Sequence, residues 1–313
     1  MLNSRKISII FASGAVLFSL NAAEKKQTPK NNYTHRIKCI SHSGESAYAP
    51  GYSKAAYSLA MQRKADVVKL NIRYTKDGIP VIAHDGNMAK AMKWNVFLSQ
   101  KTLAELKEKT LVPRGGYDSE KILSLQEALE IVKECPEFWY DTKGTFNAER
   151  FKASLTIFEK AGISLDRIMV ATWSTRALRE VMRDFPQIRR VRHINLCRSK
   201  KKKGAISNNF GFPETGGNQK DIVKLLLKVR DEYKLYGLNL PKKAFQEGLL
   251  TAEDVKTLRD AGVWCAMWKP QTAEDAKLAA KLGADAFVTR NVKEVRPFCR
   301  IPEFDLWCNG HQV

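Results

Sequence analysis

Acidic residues are the scarce charged class in this chain of 313 residues: 33 Asp and Glu stand against 53 Lys and Arg, a formal net charge of +20. Such an excess points to anionic partners (phosphate esters, acidic glycans, lipid headgroups or nucleic acid), with plain solubility as the alternative. RNA- and DNA-binding motifs are missing, so nucleic acid is set aside as a partner. Cysteine is sparse as well. The six, Cys39, Cys135, Cys197, Cys265, Cys299 and Cys308, are too few in a chain this long to form a disulfide scaffold. Cys39 and Cys265 fall inside apolar strand patterns and read as buried thiols, whereas Cys299 and Cys308 flank a proline-containing tail and form the candidate bridge. The apolar run from Ile7 to Leu20 is short for a membrane span. Arg5 and Lys6 precede it and Ala22 and Ala23 follow, the layout of a secretory signal peptide over residues 1–23, with an anchor helix as the alternative. No cysteine lies near the cleavage point, which argues against a lipoprotein anchor. Residues 24–35 read as a polar linker, and the expected location is secreted or periplasmic.

Apolar residues are not lacking: at 44% they can fill a sizeable core. The stretch from Ile37 to Asp85 organises the rest. A short apolar strand ends in His42, a helix follows, and a second strand carries Lys69 and Asn71 on one face. By alternation Lys69, Asn71 and Arg73 point one way while Val68, Leu70 and Ile72 face the other. Thr75-Lys76-Asp77-Gly78 then makes a tight turn, and the return strand ends in His84 and Asp85.

This stretch resembles the opening of the glycerophosphodiester phosphodiesterase family. His42, Gly44, Pro50, Thr75 to Gly78, His84 and Asp85 stand in matching places. The family's first strand ends in His-Arg-Gly and its next helix starts at Pro-Glu-Asn-Thr; here the Arg is Ser43, and the helix start reads Pro50-Gly51-Tyr52-Ser53. The Glu-x-Asp metal ligands of its second strand are replaced by Lys69 and Asn71. The resemblance continues at Phe138 to Lys143, where Asp141 and Lys143 share a face and match the family's Glu-x-Lys, its third metal ligand and a phosphate-binding lysine. It extends to near residue 295 through Gly237-Leu-Asn-Leu-Pro241, Trp268 and Gly283 to Thr289, with Arg290 where the family has Asp.

The remaining chain alternates strands and helices. Strands are expected at Arg167 to Trp173, Ile188 to Ile194, Tyr236 to Leu240, Val263 to Trp268 and Ala284 to Thr289. Helices are expected at about 147–161, 175–185, 219–232, 251–261 and 272–282, with an earlier one opening at the Ser124-to-Glu127 capping box. With the return strand as an accessory, eight parallel strands imply an α/β fold: a (β/α)8 TIM barrel over residues 36–298, with an insertion after the second strand and a tail at 299–313. The insertion, residues 86–122, holds a second capping box at Thr102 to Glu105; in the resembling family this region covers the mouth of the active site. The lysine run 200–203 reads as a solvated loop or an electrostatic collar for a phosphate ester or an anionic membrane surface.

Phosphodiester hydrolysis needs a base, an acid and positive charge on the phosphate oxygens. His42 and His84 are the candidate acid–base pair, Lys69 and Lys143 the phosphate-binding residues, and Ser43, Asn71, Asp85, Asp141 and Trp268 the lining. With two of three carboxylates replaced, no metal or other cofactor is expected. Lys69 should pair with Asp141, since an unpartnered lysine inside a barrel costs several kcal/mol, and its ammonium would substitute for the cation. Two readings remain open: a metal-independent phosphodiesterase acting on a small phosphate ester or anionic headgroup, or a secreted pseudoenzyme binding such a ligand without turnover. A sphingomyelinase-D-like phospholipase is a minor third.

Overall fold

The computed structural model describes residues 37–200, 202, 204–215 and 217–299. The expected signal peptide, the linker and Cys308 lie outside these described residues.

Strand β1 (Lys38–His42) ends at Ser43 and Gly44, which both take positive φ (70° and 72°). Gly44 is required there. A Cβ on it would come within 2.5 Å of the Ala56 carbonyl carbon, in helix α1 (Lys54–Gln62). Ser53 caps α1, its hydroxyl accepting from the Ala56 amide. Strand β2 (Val67–Tyr74) follows, and its antiparallel return is β3 (Pro80–Ile82). The insertion contains α2 (Ala89–Met92) and α3 (Leu103–Lys107), the latter opened by the expected Thr102–Glu105 capping box. Met88, Met92, Leu98, Leu106, Leu111 and Ile122 bury one another with Val81, so the insertion has a core of its own.

Helix α4 (Leu125–Val132) then leads to β4 (Glu137–Thr142), α5 (Ala148–Lys160), β5 (Ile168–Thr172), α6 (Thr175–Asp184) and β6 (Arg189–His193). Next come β7 (Leu196–Arg198) and β8 (Ile206–Asn208), an antiparallel hairpin on either side of the lysine run read as a loop. The chain ends through α7 (Asp221–Tyr233), β9 (Gly237–Pro241), α8 (Lys242–Gln246), α9 (Ala252–Asp260), β10 (Trp264–Trp268), α10 (Ala273–Lys281), β11 (Ala286–Thr289) and α11 (Val292–Val295).

The parallel strands run β1-β2-β4-β5-β6-β9-β10-β11 and return to β1, a closed eight-stranded barrel with β3 attached to β2. Closure follows from alternation. Val68, Leu70 and Ile72 pack outward against α4 and neighbouring side chains, while Ile40, Val67, Trp139, Met169, Val191, Ala266 and Val288 fill the interior. Each such large side chain contributes about 1.5–3 kcal/mol relative to its exposed state. Cys39 and Cys265 are buried thiols, as expected. Cys299 is fully buried too, packed in one cluster with Cys39 and Val295.

Candidate functional site

The strand C-termini surround a cavity of about 740 Å³. His42, Ser43, Lys69, His84, Asp85, Lys143 and Trp268 all line it. Asn71 and Asp141 lie directly beneath, fully buried. The insertion supplies one wall through Met88, Ala91, Leu111 and Arg114. By contrast Lys200 and Lys202 sit on the connection between β7 and β8 and do not line the cavity.

Its floor is organised by Asp141. Register places Asn71 opposite Asp141 across β2 and β4. Lys69 Nζ lies 2.8 Å and Lys143 Nζ 3.1 Å from Asp141 Oδ2, and Asn71 Nδ2 donates to the same oxygen at 3.3 Å. The other oxygen, Oδ1, meets His193 Nε2 at 3.3 Å. Burial pushes the Asp141 carboxyl up, but Lys69, His193 and Lys143 together outweigh it and hold the group well below the ordinary carboxylate range. Burial pulls Lys69 down, with Asp141 opposing. Trp139 closes the floor, its ring stacked 5.7 Å from His193 and 5.3 Å from the Lys69 ammonium.

A divalent cation does not fit this floor. Hard cations need several oxygen ligands, and here both oxygens of Asp141 are engaged by nitrogen donors from Lys69, Lys143, Asn71 and His193.

Above the floor stand the two histidines, ring centroids 6.2 Å apart. His42 is buried, and its Nε2 has no hydrogen-bond partner among the described residues. Burial first, then the charges of Lys69 and Arg290, holds its imidazole well below the ordinary value. His84 is half-buried, with Nδ1 2.7 Å from Asp85 Oδ1. Burial lowers its pKa, and Asp85 opposes that by favouring the protonated ring. Arg73, from the same face of β2 as Lys69, donates Nε and Nη2 to the His84 carbonyl at 2.9 and 2.8 Å, fixing the segment that carries the imidazole, which lies two residues past the end of β3 and not on the strand as expected.

Among the lining residues that sequence reasoning missed are Trp173, His193, Asn239, Lys269 and Arg290. His193 stacks on Trp173 at 4.9 Å and meets Asn239 Nδ2 at 2.9 Å through Nδ1. Trp173 is 43% exposed and packs edge-on to Trp268. The usable signal for His193 and Lys269 was position, since both stand at the ends of expected strands.

Comparison with known proteins sets this geometry in a family. The model of the Glycerophosphoryl diester phosphodiesterase family matches residues 42–294. A glycerophosphodiester phosphodiesterase of Bacillus subtilis (strain 168) is 24% identical over 157 residues, covering 45% of this chain and 53% of the relative. Glycerophosphodiester phosphodiesterase 1 of Homo sapiens is 29% identical over 157 residues, 49% of this chain and 40% of the relative. The chain thus spans about half the length, or less, of these curated relatives. Among solved structures, an Oleispira antarctica phosphodiesterase in complex with the product sn-glycerol-3-phosphate superposes with TM-score 0.68 at 19% identity, covering 84% of this chain and 96% of the other. A putative glycerophosphoryl diester phosphodiesterase from Silicibacter pomeroyi gives TM-score 0.70 at 15% identity, over 88% and 96%. At that identity the structures speak for the barrel alone, while the family match spans most of the sequence. On that match, the chain belongs to the glycerophosphoryl diester phosphodiesterase family.

Proposed function

We propose that this protein is a phosphodiesterase that hydrolyses glycerophosphodiesters or related small phosphate esters with His42 and His84, using lysine charge where its family uses a divalent cation. The observation that carries the reading is the pair of imidazoles 6.2 Å apart over one cavity, with Lys69 and Lys143 beside them. Both rings border the cavity, so one phosphoryl group bound there can meet both. Its non-bridging oxygens face the two ammonium groups, which stabilise the charge that builds as the bond is made. His42, held neutral by burial and its cationic neighbours, takes the proton of the attacking hydroxyl, which lies beside the phosphate on the glycerol. As the bond from phosphorus to the leaving oxygen breaks, His84, steadied by Asp85, gives that oxygen a proton. Water then opens the cyclic phosphate so formed: His84 takes the water's proton, His42 returns one to the departing glycerol oxygen, and both rings regain their starting states. Asp141 holds both lysines in place. The Oleispira neighbour's bound sn-glycerol-3-phosphate supports a ligand of this class. Export through residues 1–23, and contact of the basic face with an anionic membrane surface, belong to the same reading.

A second reading, ligand binding without turnover, is favoured by Ser43. It is buried at the end of β1 where a phosphate-binding guanidinium would reach, and its short hydroxyl brings no positive charge. Turnover of a chromogenic phosphodiester, with and without chelator, separates the two. The diesterase reading expects turnover that chelator leaves intact and that His42→Asn or His84→Asn lowers by about 10²–10⁴-fold. Absence of turnover in the wild type, with sn-glycerol 3-phosphate still bound, would leave the binding protein.

A further inference from the structure

The cavity carries more positive charge than one phosphodiester can use. Among the described residues, Lys69, Lys90, Arg114, Lys143, Lys269 and Arg290 line it, against the single carboxylate of Asp85. Asp141 beneath them compensates Lys69 and Lys143. A diester brings one negative charge.

These cations are sorted by strand. Lys269 follows β10 directly, and Arg290 follows β11. Thr289 lies opposite Ser41 in the parallel pair of β11 and β1, so Arg290 leaves the barrel beside His42. On the other side His42 lies opposite Lys69 of β2, and Lys143 follows β4. Two cation pairs therefore flank His42. The pair formed by Lys69 and Lys143 is tied to Asp141 and faces His84. The pair formed by Arg290 and Lys269 has no ion pair or side-chain hydrogen bond among the described residues, and Arg290 Nε is buried without a partner. Like charges held together in a concave, partly desolvated wall are costly unless something anionic joins them. Lys269 feels that cost: burial first, then Arg290 and Lys90, lowers its pKa.

We propose that the cavity takes two phosphate groups at once, the scissile diester between the imidazoles and a terminal phosphate on the wall formed by Arg290 and Lys269. The preferred substrate is then a phosphodiester whose alcohol carries a further phosphate. A guanidinium fork beside an ammonium suits such a dianion. This deepens the phosphodiesterase reading and rests on it.

The test is calorimetric titration of the full chain, in a His84→Asn background so that ligand is not consumed. The probes are sn-glycero-3-phosphoinositol and its 4-phosphate, which differ by one phosphate. The 4-phosphate should bind roughly tenfold tighter or more, the size expected for charge-assisted hydrogen bonds to a desolvated anion. Lys269→Gln and Arg290→Gln should each bring the ratio of the two affinities close to one. Lys160→Gln, on the last turn of α5 at the opposite end of the barrel, should leave the ratio as it was. Lys269 stands at the solvent edge of the wall, where a polar substitution is expected to cost little stability, so its variant keeps the test decisive. Equal affinities for the two probes, or a ratio that Lys269→Gln and Arg290→Gln do not move, would refute the second phosphate position alone. A ratio that Lys160→Gln lowers equally would reduce it to long-range charge. Binding of neither probe would remove the phosphodiester reading along with it.

Discussion

The floor around Asp141 and the wall formed by Arg290 and Lys269 are built from the same kind of side chain and meet opposite fates. On the floor, two lysines, an asparagine and a histidine converge on one buried carboxylate. On the wall, a guanidinium and an ammonium share no carboxylate among the described residues. On the floor the positive charge is already partly matched from within, by Asp141. The wall is left with unused charge. Positive charge alone therefore does not mark a binding surface; the distinction lies in what already neutralises it.

Removing the floor's carboxylate should break that contrast most severely. Asp141→Ala leaves Lys69 buried with no counter-charge and should cost about 3–5 kcal/mol of stability by urea unfolding, whereas the pair Lys69→Met with Asp141→Leu should cost less than Asp141→Ala alone. Arg290→Gln on the wall should change stability by less than about 1 kcal/mol. Equal losses at Asp141 and Arg290 would erase the distinction between floor and wall.

Converting the floor into an oxygen site comes next. Lys69→Glu with Asn71→Asp places two further carboxylates beside Asp141, and hard cations gain ligands. Its melting temperature should rise along a Ca²⁺ or Mg²⁺ series, by the equivalent of about 2.7 kcal/mol at a hundredfold excess over Kd. The wild type should not respond. An equal response in both proteins would mean that Lys69 does not stand in for the metal.

An effect of similar size is expected from pH. Burial outweighs the pull of Asp141 and holds His193 at about 4, below the ordinary 6.5. The unfolded chain therefore takes up a proton first as pH falls. The stabilisation is complete above about 6.5 and declines toward pH 4, on the order of a few kcal/mol. Urea unfolding across that range should show the decline, and His193→Gln should flatten it. A variant that declines as steeply as the wild type would place the proton uptake elsewhere.

Much of this was legible from the chain because side-chain alternation is strict. Lys69 and Asp141 could be paired before any coordinates, since each lies on the inward face of a strand and the two strands are barrel neighbours. The barrel's eight strands followed from repeated apolar runs bounded by capping boxes and glycines. What stayed hidden depends on register between distant strands. His193 is one histidine among arginines in sequence, and only the placement of β6 near β4 and beside β9 brings it to Asp141 and Asn239. Arg290 and Lys269 stand just past strand ends, where no periodicity fixes direction. The hairpin of β7 and β8 escaped because its lysine-rich connection reads as solvent-exposed chain.

Asp141 also has a mechanical consequence. Through Lys69, its own strand, His193 and Asn239, one continuous hydrogen-bonded brace crosses β2, β4, β6 and β9 at the open end of the barrel. A rim cross-tied over half its circumference is already set in the shape a ligand meets. Free and loaded forms should then be nearly superimposable on those four strands, and a crystal of the free protein should accept a soaked phosphate ester without cracking.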